Sequence, residues 1–224
     1  MCGRINIIDD EGVRGFLDSL DLKVSLATRY NIAPTENIPV VTKSRDGLAL
    51  HNMRWWLTPS WAAEISSKFS MFNARSETID SSKAFRGPFQ SRRGIVPVSS
   101  FIEWKSEENG KQPYLISTEN KFIALAAIWD VWQRDDYYLE SCAIVTTSAK
   151  ESFSGIHNRM PVMLSENSIS IWLEHTTKAE DLKSLFNPAL APTLKVCTVS
   201  KVCNNARNKD DRAVCPTGEI SLIE

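Results

Sequence analysis

The sequence predicts an α+β fold in one domain, built largely of antiparallel strands in barrel-like sheets with helices at the periphery. Short apolar or alternating segments bounded by turn residues recur along most of the chain and are typical of strands. Segments with helical spacing are few. Neither a linker, a repeat nor a low-complexity tract interrupts the 224 residues, so we expect a single domain over residues 1–224.

Predicted strands lie between clear turn signals. They cover residues 4–8, 38–42, 48–55, 94–98, 114–117, 122–132, 138–147 and 194–200. Asp46-Gly47 and Asn109-Gly110 are dipeptides that favour tight hairpin turns, so each is expected to join two antiparallel strands. The mostly small side chains of residues 124–127 require a closely packed neighbour. Residues 204–211 are polar and are predicted to form a loop.

Helical patterns occur near the amino terminus and in the last third of the chain. The first carries apolar residues at helical spacing, namely Val13, Phe16, Leu17 and Leu20. Asp9 and Asp10 precede these residues and suit an N-cap. Residues 165–175 and 178–186 are predicted to form two further helices. In residues 81–93 basic side chains are interleaved with aromatic ones, which fits either a solvated amphipathic helix or a contact with nucleic acid.

The composition limits the classes of function. A formal net charge of −1 provides no global basic field, so any site for a polyanion has to be a local patch. No signal peptide and no apolar run of membrane length is present in the sequence, so a cytoplasmic protein is expected. The five cysteines include no Cys-x-x-Cys pair, which favours free thiols over disulfides or a zinc site. We expect a monomer without metal or cofactor.

Cys2 offers unusual chemistry if Met1 is removed. Its α-amine, with a reference pKa of about 7.7–8.0, would be about one-seventh neutral at pH 7, far more than a lysine amine. The amine can condense with an aldehyde, and the adjacent thiol can then close a thiazolidine ring. The same pair also suits a hydrolase with an N-terminal nucleophile. The structural alternative is a small buried residue at the start of a strand.

Polar and aromatic residues in extended segments supply further candidates. Asn73 and Arg75 share one face of an extended segment, where an amide and a guanidinium suit a phosphate or a carbonyl. The alternative is a surface ion pair between Arg75 and Glu77. Glu103 stands between two large apolar residues, so it is either an acid or base with a raised pKa or an outward-facing carboxylate. Trp61, in a cluster of three tryptophans, is a candidate for stacking on a base.

Loop residues add two candidates. His157 lies in a loop between a predicted strand and a proline and is a candidate for proton transfer, whereas His51 and His175 are expected at the surface. Asn31 precedes a proline-containing segment. It either hydrogen-bonds a ligand or satisfies the backbone of a loop, which is the commoner role.

Taken together, these segments resemble the SRAP family, the SOS-response-associated peptidases that shield abasic sites in single-stranded DNA. The matching pieces, in family order, are Met1-Cys2-Gly3-Arg4, Arg29-Tyr30-Asn31-Ile32-Ala33-Pro34, Trp55 through Pro59 to Trp61, Asn73-Ala74-Arg75-Ser76-Glu77-Thr78, Phe101-Ile102-Glu103-Trp104, Ile144-Val145-Thr146-Thr147 and Ile156-His157-Asn158-Arg159-Met160-Pro161. Residues 199–208 resemble the family's final loop. Each piece alone is weak, but the ordered set is specific and covers nearly the whole chain.

The resemblance implies a role for each candidate. Cys2 would form a thiazolidine crosslink with the opened sugar of an abasic site, and Asn73 would position Cys2 and the lesion. Glu103 would transfer protons during ring opening and Schiff-base formation, and His157 during imine chemistry and crosslink reversal. The implied DNA-binding residues are Arg4, Trp61, Arg75 and Thr146. The family is also thought to cleave off its own initiator methionine, and its partner would be single-stranded DNA at replication forks.

The chain departs from the family pattern at four positions. Trp56 replaces a usual Gly, Ile5 a common Phe, and Ile102 a common aromatic residue. Asn158 replaces an Asp beside His157. If that Asp orients or charges the imidazole, crosslink reversal is the step most affected, and equal reversal rates for this protein and Asn158→Asp would contradict that idea.

Three other functions stay open on the sequence alone. Class II glutamine amidotransferases also begin with Met-Cys-Gly, but they need a four-layer sandwich with strong helices, and glutaminase activity would distinguish them. A non-catalytic single-strand-binding module would bind intact and abasic DNA alike. A Cys-His protease acting on other proteins would need an oxyanion motif that the sequence lacks.

Overall fold

The computed structural model describes residues 2–108 and 110–224. The strands in these residues are β1 (Ile5–Ile7), β2 (Arg29–Ile32), β3 (Asn37–Ser44), β4 (Gly47–Trp55), β5 (Asn73–Arg75), β6 (Arg93–Val98), β7 (Ser100–Glu107), β8 (Gly110–Ser117), β9 (Ile123–Arg134), β10 (Tyr137–Ser148), β11 (Arg159–Pro161), β12 (Met163–Leu164), β13 (Leu194–Thr198) and β14 (Ser221–Ile223). The helices are α1 (Glu11–Ser19), α2 (Arg86–Ser91), α3 (Glu151–Ser154), α4 (Glu166–Leu173) and α5 (Ala179–Ser184).

One sheet carries the amino-terminal strand near its end. Its strand order is β14-β13-β8-β7-β1-β2, and every neighbouring pair is antiparallel. β1 lies next to β7, with Ile5 opposite Phe101. The backbone amide of Ile102 donates to the carbonyl of Arg4 at 3.0 Å, so the chain ahead of β1 continues alongside β7.

The second sheet closes on itself. Among the described residues, strands pair in the order β10-β4-β3-β6-β9, and β9 pairs again with β10 to close a five-stranded barrel. β4 and β5 run parallel to β10, whereas β11 pairs with β10 and β12 with β9 in the antiparallel sense. The long strand β10 therefore pairs with β4, β5, β9 and β11 along different parts of its length.

The barrel and the open sheet share a continuous core. Buried side chains of β1, β7 and β13 belong to the same apolar cluster as those of the barrel strands. Gly94 shows how closely the strands approach, because a Cβ there would lie 2.6 Å from Val40 Cγ1 and 3.0 Å from the carbonyl oxygen of Val41. Gly94 pairs with Ala127, and the small side chains of residues 124–127 are buried where β9 pairs with β6, as the sequence predicts.

The prediction of an α+β fold dominated by antiparallel strands is confirmed. Each predicted strand is present with its boundaries moved by a few residues. At the Asp46-Gly47 turn, Ser44 pairs with Gly47, whose φ of +117° suits glycine. The second predicted turn includes Asn109, which lies outside the described residues. The parallel pairings with β10 were not predicted, because they join segments that are far apart in the sequence.

The helices are shorter than their apolar patterns indicate. The Asp10 carboxylate caps α1 by accepting from the backbone amides of Gly12 and Val13, as predicted. An amphipathic helix over the whole of residues 81–93 is not formed; α2 begins late because Pro88 fits only the first turn of a helix.

No helix within residues 2–108 and 110–224 has the length and apolar character needed to cross a membrane.

Arg93 is a buried cation that ties two helices to the barrel. Its Nε donates to the carbonyl of Trp172 at 2.6 Å, and its Nη1 donates to the carbonyls of Phe89 and Gln90 at 2.7 Å. Its Nη2 donates to the carbonyl of Glu174 at 2.6 Å. These carbonyls lie at the carboxyl-terminal ends of α2 and α4, where a helix leaves acceptors unpaired and its dipole is negative. One guanidinium therefore satisfies both helix ends.

We expect Arg93→Met to lower the free energy of unfolding by about 3 kcal/mol or more, because buried carbonyls lose their donors. Urea denaturation followed by circular dichroism measures this. Arg14→Met removes an arginine from the exposed face of α1 and is the matched control. An unfolding midpoint of Arg93→Met equal to that of the control would contradict the assignment.

Candidate functional site

Cys2 is held inside the protein ahead of β1. The residue is fully buried, and its carbonyl oxygen accepts a hydrogen bond from Asn73 Nδ2 at 2.9 Å. Burial raises the pKa of the Cys2 thiol well above its ordinary value, and the nearby carboxylate of Glu103 raises that pKa further. The thiol is therefore protonated at neutral pH.

β5 brings Asn73 to Cys2. It runs parallel to β10, with Asn73 opposite Ile144 and Arg75 opposite Thr146. The amide nitrogen of Asn73 holds Cys2, and the amide oxygen is buried without a hydrogen bond from any described residue. A buried acceptor without a donor costs roughly 1–3 kcal/mol, so such groups are kept where a function needs them.

A cleft of about 400 Å³ opens next to this buried terminus. It is lined by Arg4, Glu103, Trp104, Lys111, His157 and Asn204. Glu103 is only 2% exposed, and burial raises the pKa of its carboxyl. A positive charge on His157 lowers the pKa of the Glu103 carboxyl, so the two side chains lie close enough to interact. The cleft thus joins an acid, an imidazole and two cations.

The imidazole of His157 is oriented by the main chain. The backbone amide nitrogen of Arg159 lies 3.0 Å from His157 Nδ1, and the carbonyl oxygen of Arg159 lies 3.1 Å from the same ring atom. The main chain of Arg159 can therefore hold the ring in either tautomer, by donating to Nδ1 or by accepting from it. Asn158 is exposed, and its carbonyl accepts from the amide of Ala149. In this chain, therefore, Arg159 rather than the side chain at position 158 supplies the orientation of the imidazole.

Arg159, whose main chain contacts His157, also forms polar contacts through its side chain. Its guanidinium forms a two-pronged ion pair with Glu77 at 2.8 and 3.0 Å. It also donates to the carbonyl and the hydroxyl of Thr146 at 2.7 and 3.2 Å. Hydrogen bonding by Arg159 lowers the pKa of Glu77 to about 2. Glu77 pairs with Arg159, so the alternative of a pair between Arg75 and Glu77 is wrong.

The structure does not bring all four expected DNA-binding residues into the cleft. Arg4 lines it. Arg75 is exposed at the end of β5, and Thr146 is fully buried, where it supports Arg159. Trp61 is 52% exposed and lines a separate, smaller pocket in which Lys83 Nζ lies 4.3 Å from the centroid of its ring.

Asn31 has the commoner of its two expected roles. Its side chain is buried and its Nδ2 donates to the carbonyls of Asn205 and Asn208, both at 3.0 Å, so it satisfies the backbone of a loop. Lys111 and Asn204 line the cleft but were not singled out in the sequence. Lys111, an exposed lysine near a hairpin, has no distinctive local pattern. Asn204 lies in residues 199–208, which resemble the family's final loop, but nothing in that polar segment distinguishes it as a cleft residue.

The cysteines of the described residues are free thiols. Cys2, Cys142, Cys197 and Cys203 are buried and Cys215 is exposed. Within residues 2–108 and 110–224, no group of three or more histidine, cysteine or acidic side chains has the arrangement of a metal site.

The chain matches a family model described as SOS response associated peptidase (SRAP) over residues 1–206. It is 34% identical over 215 residues to the abasic site processing protein YoaM of Bacillus subtilis, covering 93% of this chain and 95% of that protein. It is 28% identical to the abasic site processing protein YedK of Escherichia coli, covering 84% of each chain. With the abasic site processing protein HMCES of Gallus gallus it shares 28% identity over 84% of this chain and 66% of that protein.

Solved structures show the same fold. A crystal structure of a protein from Bacteroides thetaiotaomicron superposes with a TM-score of 0.78 at 22% identity, covering 95% of this chain and 98% of that one. A phage-related protein from Bordetella bronchiseptica superposes with a TM-score of 0.70 at 24% identity, covering 88% of this chain and 94% of that one.

Native thiol labelling tests the burial of Cys2. We expect iodoacetamide to modify Cys215 at least about tenfold faster than Cys2, because the Cys2 thiol is enclosed and protonated. Peptide mass spectrometry after a time course measures both rates, with Cys142 as the buried control. Labelling of Cys2 at the rate of Cys215 would contradict the described position.

Proposed function

Because this chain belongs to the SOS response associated peptidase (SRAP) family of abasic site processing proteins, we propose that it captures abasic sites in single-stranded DNA covalently through Cys2. The reactive form would be the chain without Met1, in which Cys2 carries a free amine beside its thiol. The adduct would be a thiazolidine joined to C1 of the opened sugar.

The observation that carries this proposal is the setting of Cys2. A fully buried cysteine at position 2 is held by the Asn73 amide, and a cleft with Glu103 and His157 lies beside it. A cysteine with a purely structural role needs neither a buried carboxyl nor an imidazole next to it. Both groups suit proton transfer near neutral pH.

The proposed reaction balances without an oxidant or a cofactor. The ring-opened sugar presents an aldehyde, the amine of Cys2 forms a C–N bond to its carbon, and loss of water gives a Schiff base. The thiol then adds across the C=N bond, so that an S–C bond forms and the thiol proton ends on nitrogen. The thiolate is the nucleophile in this step and burial raises the pKa of the thiol, so a neighbouring group has to take the thiol proton as the sulfur attacks.

Glu103 is assigned the acid role in this sequence. Burial raises its pKa, so a protonated carboxyl is available to the sugar ring oxygen during opening and to the departing hydroxyl during imine formation. His157, oriented by the main chain of Arg159, would exchange protons with the sugar oxygens and would take part in crosslink reversal. The Asn73 amide oxygen, which accepts from no described residue, would accept from the amine of Cys2 or from a sugar hydroxyl.

Removal of Met1 is proposed to use the same groups. The Cys2 thiol would attack the carbonyl carbon of Met1, which moves the acyl group from nitrogen to sulfur. Water would then hydrolyse the thioester to release methionine and a free Cys2. Glu103 would exchange protons with the thiol, which is supported by the influence of its carboxylate on the pKa of that thiol.

DNA is proposed to bind along local cations. Arg4 in the cleft and Arg75 at the end of β5 would hold phosphates, while Trp61 would stack on a base farther along the strand. Thr146 would contribute indirectly, through Arg159. We propose a monomer that acts on single-stranded DNA in the cytoplasm.

The glutamine amidotransferase alternative is disfavoured by the fold. That class needs two stacked sheets between layers of helices. The described residues instead close five strands into a barrel and surround it with short helices.

The proposed capture is tested by incubating the protein with a single-stranded oligonucleotide that carries one abasic site. We expect a heat-stable band on a denaturing gel for the wild type and Cys142→Ala, and none for Cys2→Ala. Cys2→Ser, produced so that Met1 is removed independently of residue 2, keeps the amine but loses the sulfur, so its product should survive only after borohydride reduction. Intact mass on the same samples reports whether Met1 is absent. No band from protein without Met1 would overturn the proposal.

Glu103→Gln should reduce the rate of crosslink formation by about a hundredfold to ten-thousandfold, the usual effect of a general acid. The wild-type rate should pass through a maximum with pH, because it needs the amine of Cys2 neutral and the carboxyl of Glu103, whose pKa burial raises, protonated. The variant should lack the falling limb above this maximum.

Glu107→Gln, at the exposed end of the same strand, is the control for this pH profile and should keep it. A falling limb of unchanged shape in Glu103→Gln would rule out the acid role.

A further inference from the structure

Trp104 connects Arg4 to the carboxyl-terminal loop. The Arg4 guanidinium carbon lies 5.7 Å from the centroid of the indole, within the range of a cation–π interaction. The indole Nε1 donates to Asn204 Oδ1 at 2.7 Å. Trp104 also packs against a buried apolar cluster that contains Ile102 and Cys203. These contacts restrict the indole ring, and the ring in turn packs against the Arg4 guanidinium.

One nitrogen of the Arg4 guanidinium group is held by a hydrogen bond, and another has no acceptor among the described residues. Its Nη1 donates to the carbonyl of Gly3 at 2.8 Å, which fixes the end of the guanidinium. Its Nε is buried and has no acceptor among the described residues. A guanidinium with an unused, buried donor at the edge of a cleft is suited to an anion such as a phosphate oxygen.

The loop that carries Asn204 is fixed by a residue far away in the sequence. Asn31 adopts the left-handed conformation at φ +52° and donates through Nδ2 to the carbonyls of Asn205 and Asn208. The backbone amide of Asn31 donates to Asn6 Oδ1 at 2.7 Å, and Lys209 Nζ donates to the carbonyl of Asn31 at 2.8 Å. The loop is thereby tied to β1 and β2 at several points.

We propose that Trp104, Asn204 and Asn31 are positioning residues that hold Arg4 ready for a DNA phosphate beside the lesion. Asn31 fixes the loop, the loop presents Asn204, Asn204 holds the indole of Trp104, and the indole supports the guanidinium. This inference rests on the proposed function, since it assigns Arg4 a phosphate of the bound strand. The loop that carries Asn204 would then form part of the DNA-binding site.

Equilibrium binding separates this idea from the covalent chemistry. The probe is a fluorescein-labelled single strand with one tetrahydrofuran abasic analogue, which has no aldehyde and cannot crosslink. Asn204→Ala and Trp104→Phe each remove the same hydrogen bond, so each should raise Kd by about threefold to tenfold. The double variant should show no more than the effect of either change alone.

The decisive comparison uses the Arg4→Ala background. If Asn204 acts through Arg4, then Asn204→Ala should not raise Kd further once Arg4 is gone. Lys111→Ala is the matched control, because Lys111 is exposed in the same cleft and should weaken binding equally in both backgrounds. An unchanged effect of Asn204→Ala without Arg4 would mean a direct contact with DNA and would overturn the relay.

Asn31→Gly tests the far end of the relay. Glycine keeps the left-handed backbone and removes both side-chain donors. We expect the same rise in Kd, together with faster amide hydrogen exchange in residues 204–208. A wild-type Kd despite faster exchange would overturn the role of Asn31. Wild-type protein that binds the probe but forms no crosslink with abasic DNA would sink the covalent proposal and leave this one standing.

Discussion

The candidate site depends on the pairing of β1 with β7. A reactive amino terminus is useful only if the chain holds it next to catalytic groups, and free termini are normally mobile. Here the hydrogen-bond ladder continues to the Arg4 carbonyl, which accepts from the amide of Ile102. The Asn73 amide then fixes the carbonyl of Cys2. Glu103 follows Ile102 on the same strand, so the terminus and the carboxyl meet as a direct result of the strand register.

Burial sets the chemical state of the site. Removing Cys2 and Glu103 from water disfavours their charged forms, so both pKa values rise. A carboxyl with a raised pKa suits a reaction that needs an acid for ring opening and for loss of water. Two cations, Arg4 and Lys111, line the cleft. A chain of net charge −1 can therefore present a positive surface to a DNA strand at this place.

Much of the fold follows from local pattern. The strands that join into the barrel are marked by apolar alternation and by turns such as Asp46-Gly47, and the first helix by its Asp10 cap. The parallel pairing of β5 with β10 has no local signal, because it is decided by which strands close the barrel. In residues 81–93 the sequence left a solvated amphipathic helix and a nucleic-acid contact both open, and the structure forms only the short α2, since Pro88 fits only the first turn of a helix.

Some residues of the candidate site could be predicted from the sequence, and others could not. Cys2 stands out for its chemistry, whereas Glu103 and Asn73 were balanced against ordinary surface roles until the fold placed them near Cys2. Nothing local distinguished Asn204 or Lys111 as a cleft residue, because their importance comes from a loop and a hairpin that meet the cleft in space. Residue type alone does not reveal such long-range contacts.

The central claim is that amine and thiol of Cys2 both bond to the sugar carbon. It is tested most directly by mass spectrometry of the crosslinked protein after nuclease and protease digestion. The account predicts a single sugar adduct on the peptide that begins with Cys2, formed without a reductant and with its thiol closed to iodoacetamide. An adduct on a lysine such as Lys111, or an adduct that leaves the Cys2 thiol free to alkylate, would contradict it.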